Sequence, residues 1–215
     1  MMKIGILGTG DVGKALGNGC LALGHEIKMG AREKGNPKAR EWAEKAGAKA
    51  STGTFAETAE FGEMLFLCTL GSANPSVIEQ AGPSRLKGKV LIDATNPLDF
   101  SAGFPPSLIT PKEGSGGAEV QALAPEALVV KAFNTVGNAD MFKPTFPGGP
   151  PDMFICGNDD GAKERVGKLL ADFGWGVIDI GPIKTAHYLE AMCLVWVLHS
   201  ARTGRWNHAF KMLEK

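Results

Sequence analysis

The sequence predicts an α/β fold: a doubly wound, mostly parallel sheet with a short C-terminal helical appendage. Three observations carry that expectation. Short apolar runs without polar alternation recur along the chain, as strands covered on both faces require. Between them lie segments whose apolar residues fall at helical spacing. Glycine and proline stand at most of the junctions, where the chain must turn.

In order, KIGILG (3–8) is a first strand, and Val12, Leu16, Cys20 and Leu23 mark a helix stopped by Gly24. HEIKMG (25–30) is a second strand, and NPKAREWAEKAG (36–47) a helix with Pro37 at its start and Gly47 at its end. EMLFLCTL (63–70) is a third strand, followed by a helix from about Pro75. KVLIDAT (89–95) is the fourth, and ALVVKAF (127–133), after a helix around 118–123, the fifth. The proline-rich FKPTFPGGPPD (142–152) reads as a surface loop. DMFICG, a helix over 159–175 and GVIDIG then continue the sheet. From Lys184 onward the pattern reads as helix as far as Leu213, with Leu189, Met192, Cys193, Trp196, Val197 and Ser200 on one face. Residues 1–183 are therefore expected to form the sheet domain, with 184–215 packed on it as one unit. The Trp- and Met-rich face of that last helix either closes the flank of the sheet or pairs two subunits as a homodimer.

Composition excludes several classes. Lys+Arg and Asp+Glu both number 23 in 215 residues, so nothing global attracts nucleic acid or an anionic membrane. The densest apolar stretch, Ala191–Leu198, is far shorter than the roughly 20 residues that cross a bilayer, and Met2–Leu7 reads as a strand rather than a leader. A soluble, cytoplasmic protein is expected. Cys20, Cys68, Cys156 and Cys193 are widely spaced in apolar surroundings and read as buried thiols, the alternative being a reactive or ligating role. No metal site is expected.

The chemistry is carried by GTGDVG (8–13). G-x-G-x-x-G alone is a weak signal in a chain with 29 glycines. Here it stands between a strand and a helix, the context that gives it meaning as a dinucleotide-binding turn of the Rossmann type. Gly8 ends the strand, Gly10 lets a pyrophosphate approach the backbone, and Gly13 lets the helix pack closely, with Thr9, Asp11 and Val12 in the loop. A carboxylate beside a pyrophosphate is awkward, so Asp11 is expected to cap the helix. At the end of the second strand an NAD site would place Asp or Glu to bind the ribose hydroxyls. This chain has KMGAREKG instead, and Arg32 with Lys34 favours the 2′-phosphate of NADP(H), the alternative being solvated surface cations.

With these residues quoted, GTGDVGKALG, GAREK, CTLG, DATNPL, KAFNTVGNADMF and IDIGPIKTAHYLE together resemble the NADPH-dependent oxidoreductases of the deazaflavin coenzyme F420. They also resemble the cytosolic NADPH domain of six-transmembrane metalloreductases, and the likeness spans nearly the whole chain. The resemblance implies that Thr9, Gly10, Asp11 and Val12 hold the pyrophosphate, and Ala31 and Arg32 the 2′-phosphate. It further implies Leu70, Pro97 and Leu98 along the ribose and nicotinamide, Asn138 near the carboxamide, and Ile183 beside a second coenzyme, a flavin or F420. Two departures stand out: Ala31 replaces a small hydroxyl residue before the arginine, and Asn134-Thr135-Val136-Gly137 follows the metalloreductase pattern beside the nicotinamide.

Dehydrogenases of alcohols and hydroxy acids need a proton-transfer group, and among His25, His187, His199 and His208 only His187 is expected near the site. Hydride transfer between stacked rings needs little such help. The expected activity is therefore NADPH-dependent hydride transfer to a flavin or deazaflavin. A reductase of small hydroxy or imino acids and a non-catalytic NADP-binding sensor remain as alternatives.

Overall fold

The structure, a computed structural model, describes all residues 1–215. In chain order the elements are β1 (Lys3–Leu7), α1 (Asp11–Ala22), β2 (Glu26–Ala31), α2 (Pro37–Ala46), β3 (Ala50–Thr54), α3 (Phe55–Phe61) and β4 (Met64–Leu67). There follow α4 (Asn74–Ala81), α5 (Pro83–Leu86), β5 (Val90–Asp93), the short β6 (Leu98–Asp99) and β7 (Ser107–Leu108), α6 (Gly116–Leu123) and β8 (Leu128–Lys131). The chain closes with β9 (Asp152–Gly157), α7 (Asp160–Asp172), β10 (Gly176–Asp179) and α8 (Ala186–Thr203).

Eight strands form one sheet in the order β10-β9-β8-β5-β4-β1-β2-β3, while β6 and β7 pair in a separate hairpin. All pairings in the large sheet are parallel except β8 with β9. No α-helix separates β8 from β9, so no crossover returns the chain to the same end of the sheet, and β9 runs antiparallel. Strand residues alternate between two cores. Ile4, Ile6 and Phe66 join Leu16, Trp42 and Phe173 under α1, α2 and α7. Leu7, Leu65 and Leu67 join Val77, Val120 and Leu189 under α3, α4, α6 and α8. The doubly wound expectation holds.

Strand β3, helices α3 and α5 and the β6–β7 hairpin are absent from the sequence reading, which also overextends the last helix. Strand β3, ASTGT, lacks the apolar run of the others because it is the edge strand, paired only with β2. Helix α8 ends at Thr203 rather than near Leu213: Gly204 takes a left-handed φ of 70° and accepts no further turn. Beyond it the tail is not helical. It folds back on the sheet, where Phe210 O accepts from Asp152 N at 2.9 Å and Asp152 Oδ2 accepts from Met212 N at 2.8 Å. Trp206 and Phe210, spaced as if on a helix, instead cover the apolar face of α8.

That tail also corrects the expected subunit interface. Trp196 is 8% exposed within a single chain. Its ring lies 5.5 Å from that of Trp206 and 4.8 Å from that of His208, and its Nε1 donates to His208 O. The tryptophan face is occupied by the chain itself. The large apolar residues that α8 leaves exposed are Tyr188, Val195 and Leu198.

Candidate functional site

Strand β1 pairs with β2 on one side and β4 on the other, so the winding of the sheet reverses at β1. Ligands of such sheets bind outside the strand C-termini at that reversal, and the glycine loop stands there. Its three glycines are needed for three separable reasons. Gly8 has φ +134° and a Cβ there would lie 2.5 Å from Cys68 O, so it is fixed by the fold. A Cβ on Gly13 would lie 2.8 Å from Gly8 O and 3.1 Å from Ile6, so it sets how closely α1 packs on β1. Gly10 has φ −77° and ψ 179°, and a Cβ there would meet nothing within 4 Å. Nothing inside the protein requires glycine at position 10; a ligand approaching the backbone would.

Asp11 does not cap α1. Gly10 is the N-cap, no side chain bonds to the first-turn amides, and Asp11 points to solvent with Lys14 Nζ 3.8 Å away. Side chains cap α2, α3, α6 and α7, through Asn36, Thr54, Ser115 and Asp159. The amides at the start of α1 are left without a side-chain partner, the arrangement that suits a helix N-terminus to an anion.

A cleft of ≈ 270 Å³ opens beside this loop, lined by Gly8 and Thr9, by Ala31 and Arg32 at the end of β2, and by Asn36, Phe55, Thr69 and Val77. Ala31 is buried, whereas Arg32 is exposed and its guanidinium has no partner in the protein. Lys34 differs from expectation: its Nζ donates to Glu57 Oε1 at 3.3 Å. Glu57 is the N3 residue of the Thr54 capping box on α3, and the pair it forms with Lys34 is open to solvent. Asn36 was not legible as a site residue from its sequence position alone. Its Oδ1 caps α2 at Ala39 N, which leaves its amide hydrogens free at the rim of the cleft.

Three further loops meet at the other end of the strand termini. Gly71, next to Leu70, presses against Asn96 O and Pro97 so closely that no side chain would fit. Asn96 Nδ2 donates to Asn134 O at 2.9 Å, and Asn134 Nδ2 donates to Asn96 Oδ1 at 2.9 Å. Leu70, Pro97, Leu98 and Asn134 are thus brought to one region, and Asn138 opens an exposed 3₁₀ turn just beyond. Leu70 is 74% exposed, an uncovered apolar side chain at the mouth. Ile183 is 5% exposed and packs in the core under α6, so little of its side chain is left to meet a second coenzyme.

Beneath these loops lies a charge cluster that sequence reading missed. Lys131 Nζ is 2.9 Å from Asp93 Oδ2 and 3.0 Å from Glu190 Oε1, with all three side chains at most 2% exposed. Burial, the largest single effect on Lys131, pulls its pKa down, but the two carboxylates together outweigh it and hold the ammonium charged. Lys131 therefore offers no exchangeable base.

The histidines do not converge on the site. His25 Nδ1 accepts from Met2 N, His187 sits on the surface with Nδ1 2.9 Å from Lys184 O, and His199 and His208 pack together by Trp196. His208 lies in the tail, not in a helix. The four cysteines are free and buried as expected; burial pushes Cys20 up to about 12 and Cys156 and Cys193 up to about 11.

Comparison with known proteins places this geometry. The profile of the family described as NADP oxidoreductase, coenzyme F420-dependent, matches residues 3–97. The F420-dependent NADP reductase of Methanocaldococcus jannaschii is 34% identical over 206 residues, covering 89% of each chain. The chain belongs to the F420-dependent NADP oxidoreductase family. It is by that membership an NADP(H)-dependent oxidoreductase. A solved structure from Arthrobacter sp. FB24, described as a "putative f420 dependent nadp-reductase", is similar over the whole of both chains with a TM-score of 0.92 and 35% identity. The metalloreductase STEAP3 of Rattus norvegicus is 29% identical over 199 residues, a region that is 89% of this family member and 36% of that longer protein. No helix of the structure is long and apolar enough to cross a membrane.

Proposed function

We propose that this family member binds NADPH along the strand C-termini and passes its hydride to a planar flavin or deazaflavin acceptor of the coenzyme F420 type. The observation that carries the reading is Gly10, where the fold leaves open space and unpaired helix amides together. The amides of Gly10, Asp11 and Val12, with Thr9, would hold the pyrophosphate. Arg32 would take the 2′-phosphate beside the buried Ala31, with Asn36 adding an amide donor and Lys34 only a screened charge.

Leu70, Pro97 and Leu98 would lie along the nicotinamide half, with Asn134 fixing the loop and Asn138 at the carboxamide. The cofactor supplies the hydride. The protein's part is alignment and exclusion of water, the two contributions a ring-to-ring hydride transfer most needs, with the proton that completes reduction of the acceptor drawn from solvent. The titratable groups support an acceptor of that kind. Asp93 and Lys131, which end β5 and β8, are fully buried and bound to each other and to Glu190, and no histidine faces the site. None of these groups is placed to give a proton to a carbonyl or alcohol substrate. The exposed Leu70 offers an apolar surface for a ring.

An acceptor screen under NADPH, read by loss of nicotinamide absorbance, tests the proposal. FMN, FAD and coenzyme F420 are compared with small ketones, 2-oxo acids and cyclic imines. Turnover with a planar acceptor is expected; turnover confined to carbonyl or imine compounds would overturn it.

A further inference from the structure

Two neighbouring residues of α8 reach across to the loops assigned above to the nicotinamide half. Glu190, 2% exposed, accepts from the Gly116 and Gly117 amides at 3.1 and 3.0 Å and from Lys131 Nζ at 3.0 Å. Lys131 directs its other two protons to Asp93 Oδ2 at 2.9 Å and to Thr95 O at 2.8 Å. Asp93 Oδ1 accepts from Thr95 N at 2.9 Å and from Thr95 Oγ1 at 2.7 Å. Thr95 is therefore held at its amide, carbonyl and hydroxyl, two residues before Pro97. Its hydroxyl also accepts from Asn74 Nδ2 at 2.8 Å, and Asn74 Oδ1 accepts from Thr69 Oγ1 at the cleft. One residue before Glu190, Leu189 O accepts from Asn134 Nδ2 at 2.9 Å.

The glycines that open α6 report the same contact. A Cβ on Gly116 would lie 3.2 Å from Glu190 Oε1 and 3.3 Å from the Pro97 ring, so carboxylate and proline flank one point. Stability alone is a weak reason for such a cluster, because a buried ion pair is often matched or exceeded by apolar side chains of the same volume. What it supplies is a fixed geometry, since every donor of Lys131 has one partner. The geometry points to Glu190 as a positioning residue: acting through Lys131 and Thr95, it sets where Asn96, Pro97 and Leu98 stand against the nicotinamide half of the cofactor. This rests on the NADPH assignment made above.

The test separates the two halves of the cofactor. NADPH and 2′-phospho-ADP-ribose, which lacks the nicotinamide, are titrated into the wild type and Glu190→Gln, with Glu190→Asp as the second variant should the first not fold. Arg32→Ala is the control. The positioning role predicts that either variant binds the fragment within about twofold of wild type while NADPH weakens about tenfold, and that kcat falls with any working acceptor. Equal losses for fragment and NADPH, or no loss for either, would overturn it, because a purely structural defect does not distinguish the halves. If Arg32→Ala leaves both ligands unaffected, the cofactor assignment itself fails and this role fails with it.

Discussion

Arg32→Ala should convert a cofactor preference into near indifference, and the structure sets the size of the effect. Arg32 is exposed, stands at the end of β2 beside the cleft, and has no partner in the protein, so no internal ion pair has to break before it meets a phosphate. A hydrogen bond to a charged group contributes roughly 1.5–3 kcal/mol, which corresponds to about 10- to 100-fold in affinity. Lys34 adds little, because it is a flexible, solvent-screened charge that also faces Glu57 at 3.3 Å, and the buried Ala31 offers no hydroxyl. Among the charged groups, the discrimination therefore rests on one side chain. The assay is a set of four dissociation constants, NADPH and NADH with wild type and variant, at fixed ionic strength. NADPH should weaken by about 10- to 100-fold and NADH by less than about twofold. The wild-type preference should shrink as salt rises, because the site is open to solvent. Equal losses for both cofactors would place Arg32 on the adenine or in the fold and refute the reasoning.

Three other outcomes follow from the same geometry. Gly10→Val should abolish NADPH binding while lowering stability by only about 1 kcal/mol, the loss of a good N-cap residue; Gly8→Ala should instead unfold or severely destabilise the chain, given its φ of +134° and the carbonyl 2.5 Å from the new Cβ. Thermal melts beside titrations distinguish them, and matching behaviour of the two variants would contradict the separation of roles. Burial lowers the pKa of His208, whose Nδ1 is buried without a partner and could not place a second proton. The unfolded chain then binds the proton more readily, so folding stability should drop as pH falls through the ordinary value of 6.5; His208→Gln should flatten that part of the stability profile, and an unchanged profile would remove the claim. Finally, Tyr188, Val195 and Leu198 form one exposed stripe on α8 and replace Trp196 as the face expected to pair in a homodimer; Val195→Glu should then yield monomers in sedimentation at micromolar concentration, and a wild type already monomeric there would rule the dimer out.

Much of the fold was legible because buried parallel strands cannot alternate polar and apolar residues, so KIGIL, MLFL and VLID announce themselves. Edge strand β3 was silent for the converse reason: with one neighbour and a partly exposed face, ASTGT needs no apolar run. The tail misled because Trp206 and Phe210 repeat at helical spacing, and only the left-handed Gly204 shows that they reach the same apolar face by folding back. At the site, motif spacing located the glycine loop and Arg32. It could not assign Lys34 to Glu57, 23 residues away, or assemble Asp93, Lys131 and Glu190 from three separate elements. Such contacts exist only once the sheet order is known. Asp11 failed as a cap because the loop lets glycine take that position and turns the carboxylate outward.

The central claim, hydride transfer from NADPH held in this cleft to a planar acceptor, is tested most directly by anaerobic single-turnover mixing. Enzyme loaded with NADPH deuterated at the transferred position would be mixed with coenzyme F420, and separately with FMN, while nicotinamide and acceptor absorbances are followed together. The account predicts that both decay in one phase, mole for mole, with deuterium found in the reduced F420 and slower decay than with unlabelled NADPH. Tightly bound NADPH that is oxidised by neither acceptor, or acceptor reduction that leaves the deuterium on the nicotinamide, would contradict it.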